Sequence, residues 1–475
     1  MEIDKDLAAR QEARLLCRQA LKAQQQLRNL SQEQLNAILE AMAKAFHKSA
    51  AELAELAVQE TGFGNVPDKI TKNTFASQTV LSAIRDMQAV GILRRLPEKK
   101  LWEIGVPVGV IAAIVPSTNP TSTICYKALI ALKAGNAIVF SPHPKALDCS
   151  LRAARLLEQA AISAGAPVGS IGCLSMASMA GCQELMAAPE VSLILATGGP
   201  AMVRAAYSSG KPAIGVGAGN GPAYIHHSAD IAHAISCILR SKSFDNGTVC
   251  ASEQSIIVEK CMEQQVRHEA QKQGFYFMDK DQAGQLARLL FRPNGSLNPD
   301  IVGKSATVLA KMAGFSVPCS TKILVAREQE AGPTRPYSME KLCPVLAFFV
   351  MEDETSVLNK AIEVLTHEGS GHTFVIHCND EAVIRRFALQ IPVSRFLVNT
   401  PAALGGIGAT TGLFPALTLG CGAVGGSSSS NNISPLDLIN IRRVAWDNSE
   451  SSAPETTVDA ALVELLTEKI LQRLK

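Results

Sequence analysis

The chain has 475 residues, 47% of them hydrophobic and 19% charged, and its 45 Lys and Arg nearly balance its 43 Asp and Glu. This composition indicates a globular protein of two or three domains and excludes a disordered or fibrous chain. The near-neutral charge argues against a nucleic-acid or anionic-membrane partner. No apolar run approaches the roughly 20 residues of a membrane-spanning helix, and the first residues do not resemble a secretory signal.

The N-terminal part of the chain, residues 5–60, places leucines and other apolar side chains at helical spacing, which predicts helices. Ser31 followed by Gln34 resembles a helix start within this segment. After Pro107 the pattern changes to apolar runs separated by helical stretches. The predicted strands are 108–115, 136–140, 171–176, 191–196 and 212–216, and the predicted helices include 121–134 and 146–165. This alternation predicts an α/β fold with a parallel sheet covered on both faces, which suits a nucleotide-binding domain over residues 1–222.

A second α/β domain is predicted over residues 223–413, with strands at 254–258, 322–325, 345–350 and 374–377. Residues 414–446 form a return segment with one more strand at 438–444. A polar linker, 447–457, then leads to a helix candidate at 458–475. Its apolar stripe consists of Leu462, Val463, Leu466, Ile470 and Leu474, with Leu465 and Leu471 off the stripe.

Twelve cysteines are scattered along the chain without a CxxC pair, so we expect neither a disulfide framework nor a zinc site. Most are expected to be small buried hydrophobic residues. Cys250 differs because it follows a polar, Gly-containing loop, the kind of setting in which a reactive thiolate is found. By composition alone, however, a structural cysteine remains the commoner case.

Two glycine-containing segments are candidates for phosphate binding. Gly215, Gly217, Gly219 and Gly221 alternate as GxGxGxG, no long helix pattern follows, and tight backbone packing is the favoured interpretation. The segment 197–200, Thr-Gly-Gly-Pro, ends an apolar strand and opens a helix. It could hold a phosphate at the positive end of that helix or be an ordinary strand-to-helix turn.

Five motifs in the same order resemble the coenzyme A-acylating aldehyde dehydrogenases, from the N-terminal helices to about Val444. They are VPSTNPTST at 115–123, ATGGPAMV at 196–203, SFDNGTVCASEQ at 243–254, EKLCPV at 340–345 and LTLGCG at 417–422. The resemblance implies the aldehyde dehydrogenase fold, with a Rossmann-like parallel-sheet cofactor domain, an α/β catalytic domain and a small oligomerisation element. Residues 223–413 would then be the catalytic domain, and 414–446 would include the oligomerisation strand.

The same resemblance assigns roles to individual residues. Cys250 corresponds to the nucleophile that attacks the aldehyde carbonyl, and Asn119 to the side-chain donor that stabilises the oxyanion. Glu340 corresponds to the carboxylate that holds the nicotinamide ribose. Gly198 and Gly199, after Thr197, correspond to the pyrophosphate turn.

Three further positions are less clearly assigned. Ser141 and His143 are expected to line the adenosine side of NAD, where many relatives carry a lysine, and this departure leaves NADP open as the cofactor. His372 corresponds to a histidine near the site that assists the incoming thiol or positions the substrate. A purely structural histidine is the alternative.

Val216 decides which nucleophile releases the acyl group. Hydrolytic relatives have a glutamate at this position to activate water, whereas residues 215–222 contain no carboxylate. Water attack therefore loses its general base, which favours coenzyme A as the acceptor and an acyl-CoA product. Acetaldehyde is the first-choice substrate, propionaldehyde the second, and sulfoacetaldehyde or another functionalised aldehyde an alternative. The competing functions are a hydrolytic aldehyde dehydrogenase and an inactive cofactor-binding or shell-organising protein.

The tail at 458–475 resembles the encapsulation peptides that bring enzymes into bacterial microcompartments. The partners expected from the resemblance are therefore shell proteins and further copies of the chain, as a homodimer or homotetramer. The location would be the bacterial cytoplasm, within a microcompartment lumen. A helix packed on its own subunit or on a neighbour is the alternative.

Overall fold

The computed structural model describes residues 4–447 and 460–474. Its strands are β1 (Gly91–Leu96), β2 (Leu101–Pro107), β3 (Val110–Ile114), β4 (Ala137–Ser141), β5 (Ile171–Cys173), β6 (Val191–Thr197), β7 (Ala213–Val216), β8 (Gly221–Ile225), β9 (Glu253–Glu259), β10 (Phe275–Phe277), β11 (Ile323–Glu328), β12 (Val345–Met351), β13 (Gly371–His377), β14 (Val393–Val398) and β15 (Ile439–Ala445). Its α-helices are α1 (Lys5–Leu27), α2 (Gln32–Lys48), α3 (Ala50–Thr61), α4 (Val66–Thr74), α5 (Val80–Ile84), α6 (Pro120–Lys133), α7 (Leu147–Ser163), α8 (Met179–Ala187), α9 (Pro200–Tyr207), α10 (Ile231–Ser243), α11 (Glu263–Lys272), α12 (Lys280–Leu290), α13 (Ala306–Ala313), α14 (Glu354–His367), α15 (Glu381–Ala388), α16 (Ala402–Gly406) and α17 (Ala460–Arg473).

The first sheet is parallel, with strand order β5-β4-β3-β6-β7. Its strands are apolar on both faces because helices cover both sides. Ile111 and Ala113 of β3 pack with α2, α6 and α7, whereas Val110 and Ala112 pack with α1 and α8. The predicted α/β fold is thus confirmed, and the predicted strands differ from the observed ones only at their ends. The predicted helix start at Ser31 is also observed, as a reciprocal cap with Gln34.

The second sheet is also parallel, with strand order β10-β11-β12-β9-β8-β13-β14. Two hydrophobic clusters cover its faces. The strands of the first sheet come from residues 110–216 and those of the second from residues 221–398. The four residues 217–220 therefore connect the last strand of the first sheet directly to β8.

A third, small sheet is antiparallel, in the order β1-β2-β15. Residues 439–445 pair with residues 101–107, so the strand predicted at 438–444 is present and pairs with a strand more than 300 residues earlier. Trp102 and Trp446 meet edge to face with ring centroids 5.0 Å apart, and the Arg95 guanidinium lies 4.7 Å from the Trp102 ring. The carboxylate of Glu103 binds Arg94 and Arg443.

The predicted C-terminal helix is present as α17, and the side chains from Val463 to Leu474 are exposed. The predicted linker lies outside the described residues apart from Asp447, as do the predicted tail positions 458, 459 and 475 and the side chain of Leu462. No helix in the described ranges is long and apolar enough to cross a membrane. Cys261 and Cys319 are exposed, Cys173 and Cys250 are half-buried, and the other cysteines are buried, as expected.

Candidate active site

A cavity of about 260 Å³ lies where the carboxyl ends of the first sheet face the second sheet. Ligands of open α/β sheets bind at such an edge. Segments that follow β3, β6 and β7 supply much of its wall. Among the residues singled out in the sequence, those that line the cavity are Asn119, His143, Thr197, Gly198, Gly199, Pro200, Val216, Gly217, Cys250 and Glu340.

Cys250 lies on the loop between α10 and β9. The three residues Asp245, Asn246 and Gly247 have left-handed backbones, with φ of 48°, 52° and 75°, and they turn the chain sharply into the cavity. Burial raises the pKa of the Cys250 thiol to about 12, and the Glu340 carboxylate acts in the same direction, whereas Arg395 opposes it. The thiol is therefore protonated near neutral pH when no ligand is bound.

Asn119 is the residue that precedes helix α6. Its carbonyl oxygen accepts the Thr123 N–H at 3.1 Å, but its side chain does not cap the helix. Its Oδ1 instead accepts a hydrogen bond of 2.5 Å from Lys72 Nζ. Its Nδ2 donates to Thr118 Oγ1 at 3.2 Å and keeps a second hydrogen for a ligand.

A buried charge cluster behind Asn119 was missed by the sequence analysis. Lys69 and Lys72 of α4 both bind Asp245 Oδ2, and all three side chains are at most 3% exposed. Lys72 also donates to Thr248 Oγ1 at 3.0 Å and lines the cavity. No motif marks Lys69 or Lys72, and lysines on a helix usually face solvent. Asp245 lies within the motif at 243–254, but that motif assigned it no role.

Glu340 points its carboxylate into the cavity wall. Its Oε1 accepts the Gly219 N–H at 3.0 Å, and its own N–H donates to Glu368 Oε2 at 2.7 Å. Burial, with a contribution from the Glu368 charge, raises the pKa of the Glu340 carboxyl to about 8. Among the described residues, Glu340 is the single carboxylate in the cavity lining.

The turn between β6 and α9 is open on the cavity side. A Cβ built on Gly199 would meet no atom within 4 Å, and one on Gly198 would meet only the Met202 side chain, at 3.7 Å. Pro200 occupies the first helical position, where its missing N–H costs nothing. The space above the glycines and the free N–H groups of the helix suit a pyrophosphate, so the residues present fit a dinucleotide.

The four alternating glycines differ in the space around them. A Cβ on Gly219 would lie 1.9 Å from the Cys250 carbonyl oxygen, and one on Gly221 would lie 2.7 Å from that of Thr373. Gly215 is similarly filled, by Val203 and Tyr207. Gly217 has free space and lines the cavity. Tight packing, the favoured interpretation, therefore holds for three of the four.

Ser141 and His372 are not among the residues that line the cavity. Ser141 ends β4, is 5% exposed, and its carbonyl oxygen accepts the Val115 N–H. His372 is fully buried, with Nδ1 2.9 Å from Thr373 Oγ1 and no partner on Nε2. Its Cε1 would lie 3.2 Å from a Cβ on Gly219, so it stands behind the loop that faces Cys250. Burial lowers the pKa of His372 to about 3, and the imidazole is neutral.

His143 lines the cavity near the strand end. Its Nδ1 accepts the Lys145 N–H at 3.1 Å, which fixes the ring through a local turn. Burial and the nearby Lys145 charge lower the pKa of the His143 imidazole. The ring is therefore biased towards its neutral form.

Comparison with known proteins gives consistent matches. The profile of the aldehyde dehydrogenase family matches residues 4–274. The bifunctional aldehyde-alcohol dehydrogenase of Escherichia coli K12 is 43% identical over 439 residues, which are 91% of this chain and 49% of that protein. The chain thus spans about half the length of the curated relatives it matches first.

Solved structures match over nearly their whole length. An acetylating aldehyde dehydrogenase from Geobacillus thermoglucosidasius is 48% identical with a TM-score of 0.92, covering 94% of this chain and 98% of that one. A Rhodopseudomonas palustris propionaldehyde dehydrogenase, solved with bound CoA and an acylated cysteine, is 29% identical with a TM-score of 0.83, covering 91% and 97%. A propionaldehyde dehydrogenase from a Clostridium phytofermentans microcompartment is 28% identical with a TM-score of 0.82, covering 90% and 96%. The resemblance to acylating enzymes is confirmed, and the microcompartment enzyme is a more distant match.

Proposed function

Because the chain belongs to the aldehyde dehydrogenase family, we propose that it oxidises a short aldehyde with NAD and coenzyme A to an acyl-CoA. The balanced reaction is aldehyde, NAD⁺ and CoA-SH to acyl-CoA, NADH and a proton, and it is reversible because one thioester replaces another. The observation that carries the proposal is one cavity with Cys250, Asn119 and Val216 in its lining and no carboxylate besides Glu340 among the described residues.

In the first half-reaction Cys250 attacks the aldehyde carbon. The developing oxyanion accepts hydrogen bonds from Asn119 Nδ2 and from the Cys250 backbone N–H. A preorganised donor of this type contributes a factor of about 10² to 10³ in kcat. Because burial keeps the Cys250 thiol protonated, the thiolate has to form after the reactants bind. Bound NAD⁺ supplies the hydride acceptor and a positive charge that favours a nearby thiolate.

For the cofactor, Gly198 and Gly199 would hold the pyrophosphate and Glu340 the nicotinamide ribose, with Thr197 and His143 nearby in the cavity wall. Ser141, the last residue of β4, is proposed to lie on the adenosine side of the cofactor. We favour NAD over NADP. A kcat/KM for NAD well above that for NADP supports this choice, and a lower kcat/KM for NAD than for NADP contradicts it.

In the second half-reaction the thiol of coenzyme A displaces Cys250 from the thioester and returns a proton to it. Val216 cannot take a proton from water, so hydrolysis lacks a general base at the position where relatives carry one. His372 is neutral, and its Nε2, which has no partner, is available for a hydrogen bond behind the loop of Gly219. We assign it a positioning role towards the incoming thiol.

The deciding experiment follows NADH formation from acetaldehyde and NAD⁺ with and without coenzyme A. Sustained turnover only with coenzyme A supports the proposal. Sustained turnover without it, with acetate as product, contradicts it and would make Glu340 the first candidate for the base. Acetaldehyde, propionaldehyde and sulfoacetaldehyde, compared by kcat/KM in the same assay, identify the substrate; acetaldehyde is expected to rank first.

A separate part of the proposal concerns the tail helix α17 and assembly. Its apolar side chains are exposed, from Val463 at 46% to Leu474 at 79%, which suits docking on a shell protein in a bacterial microcompartment lumen. The strand β15, at one side of the small sheet, is proposed to pair with another copy in a homodimer or homotetramer. Deleting residues 458–475 should spare turnover and abolish co-purification with shell proteins. Loss of the oligomer after deletion would instead show that the helix packs on a neighbouring copy.

A further inference from the structure

Helix α4 is fastened to the beginning of helix α6 by three polar contacts. Lys69 Nζ donates to the Thr118 carbonyl oxygen at 2.9 Å, and Lys72 Nζ donates to Asn119 Oδ1 at 2.5 Å. Asn73 Oδ1 accepts from the Thr121 hydroxyl at 2.8 Å. Because these contacts reach three of the four residues of the segment 118–121, the position of α4 fixes the conformation of that segment.

The contact to Asn119 replaces the role that asparagine usually has at a helix start. An asparagine before the first helical turn normally accepts a hydrogen bond from the N–H groups of that turn. Here the Asn119 side chain makes no such bond, because its oxygen is bound to the Lys72 ammonium group. A lysine donates and never accepts, so this contact determines that Oδ1 faces Lys72 and Nδ2 faces away from it.

The ammonium group of Lys72 is itself held rigidly. It binds the Asp245 carboxylate and the Thr248 hydroxyl, and the Phe244 ring lies 5.4 Å from it. Thr248 precedes Cys250 by two residues, so one side chain touches the segments that carry the nucleophile and the oxyanion donor. Lys69 shares the same carboxylate, which leaves two ammonium groups for one carboxylate beside the cavity.

We propose that Lys72 is a positioning residue that holds the Asn119 amide with Nδ2 towards the aldehyde oxygen and, through a charge-assisted hydrogen bond, strengthens that N–H as a donor. This inference rests on the proposed function. A hydrogen bond to one end of an amide polarises the group and strengthens the bond at the other end. The effect is largest when negative charge develops on the substrate oxygen, so it lowers the barrier more than it changes substrate binding.

The test is a double-mutant cycle on turnover with acetaldehyde, NAD⁺ and coenzyme A. Lys72→Met should lower kcat by about 10²-fold, the range of a lost oxyanion donor, and leave the KM for NAD within about threefold. Asn119→Ala should cost at least as much. The combined variant should be no slower than Asn119→Ala alone, because Lys72 acts only through that amide.

Lys69→Met is the matched control. It removes the same charge from the same carboxylate, so its loss of thermal stability should be similar, but it leaves the Asn119 amide bonded to Lys72. Its kcat should therefore exceed that of Lys72→Met by at least about tenfold. If Lys72→Met does not fold, Lys72→Gln keeps a neutral N–H donor in place of the charge and should show an intermediate kcat.

Three outcomes overturn the inference while the wild-type enzyme remains active. These are full additivity of Lys72→Met with Asn119→Ala, equal losses in Lys69→Met and Lys72→Met, and unchanged kcat in folded Lys72→Met. If Lys72→Met lowered the iodoacetamide reactivity of Cys250 as much as it lowered kcat, the inference would also be overturned, because alkylation needs no oxyanion donor. Absence of any CoA-dependent turnover in the wild-type enzyme would instead contradict the proposed function.

Discussion

The Oε1 oxygen of Glu340 accepts a 3.0 Å hydrogen bond from the backbone N–H of Gly219. Gly219 is also the residue whose Cβ position is filled by the carbonyl oxygen of Cys250, at 1.9 Å. One backbone unit therefore separates the nucleophile from the carboxylate proposed to bind the cofactor. The absence of a side chain on Gly219 therefore sets the spacing between Cys250 and Glu340.

A methyl group at position 219 should displace the loop that carries Cys250. Gly219→Ala is expected to lower kcat/KM by at least about 10²-fold, because misplacement of the nucleophile by about 1 Å has an effect of that size. The control is Gly284→Ala in helix α12, where a Cβ meets no atom within 4 Å and alanine should stabilise the helix by about 0.5–1 kcal/mol. Equal activity of the two variants would contradict the packing observed around Gly219.

The reactivity of Cys250 in the ligand-free enzyme should keep rising with pH. Because the thiolate is the reactive form and the pKa of Cys250 is raised to about 12, alkylation should show no plateau below about pH 10. Peptide mapping after timed iodoacetamide treatment measures this rate alongside the exposed Cys261 and Cys319, which should react earlier. Cys250→Ala should abolish NADH formation, whereas Cys261→Ala should not change it. A Cys250 alkylation plateau near pH 8 would contradict the raised pKa of its thiol.

Replacing Val216 should change the acceptor of the acyl group. Val216→Glu introduces a carboxylate into the cavity lining, and a positioned general base raises the rate of water attack by about 10² to 10⁴. We expect NADH formation without coenzyme A, with acetate as product. Val216→Gln has the same shape without the base and should remain dependent on coenzyme A. Equal rates of acetate formation by the two variants would contradict the inference that hydrolysis requires a carboxylate at position 216.

The contribution of Glu340 to the stability of the protein should fall as pH rises above about 5. The folded-state pKa of Glu340 is about 8, against an ordinary value of 4.5, because burial disfavours the charged form. The stabilisation is thus complete below the ordinary value and is lost as pH rises through the folded-state value. Glu253, whose pKa is raised to about 7 by burial, acts in the same direction.

Thermal unfolding at about pH 5.5 and about pH 8.5 measures this effect. Glu340→Gln stays neutral at both values, so its melting temperature relative to the wild type should be higher at the upper pH than at the lower one. Glu253→Gln should show the same direction of change. A difference from the wild type that is equal at both pH values would contradict the raised pKa of the residue replaced.

Local patterns in the sequence were sufficient for the five strands of the first sheet and for four of the seven strands of the second, because a strand buried on both faces is largely apolar, as in 108–115. They missed β8, β10 and β14. They also led to much of the lining of one cavity, because motifs at the carboxyl ends of strands are brought together by the sheet itself. They could not reveal the contact between Lys72 and Asp245, which joins positions 173 apart. Lys72 looks like an ordinary surface charge until the helix packs, and the motif that contains Asp245 does not indicate its partner.

The edge-to-face pair of Trp102 and Trp446 involves both tryptophans of the chain. Intrinsic tryptophan fluorescence is therefore confined to the small antiparallel sheet, and the cavity contributes none to it. If β15 pairs with another copy of the chain, diluting the protein would expose this region to solvent as the copies separate, and the tryptophan emission would change. Binding of a nucleotide, in contrast, would leave that signal largely unchanged unless the two regions move together, so one optical measurement separates assembly from ligand binding.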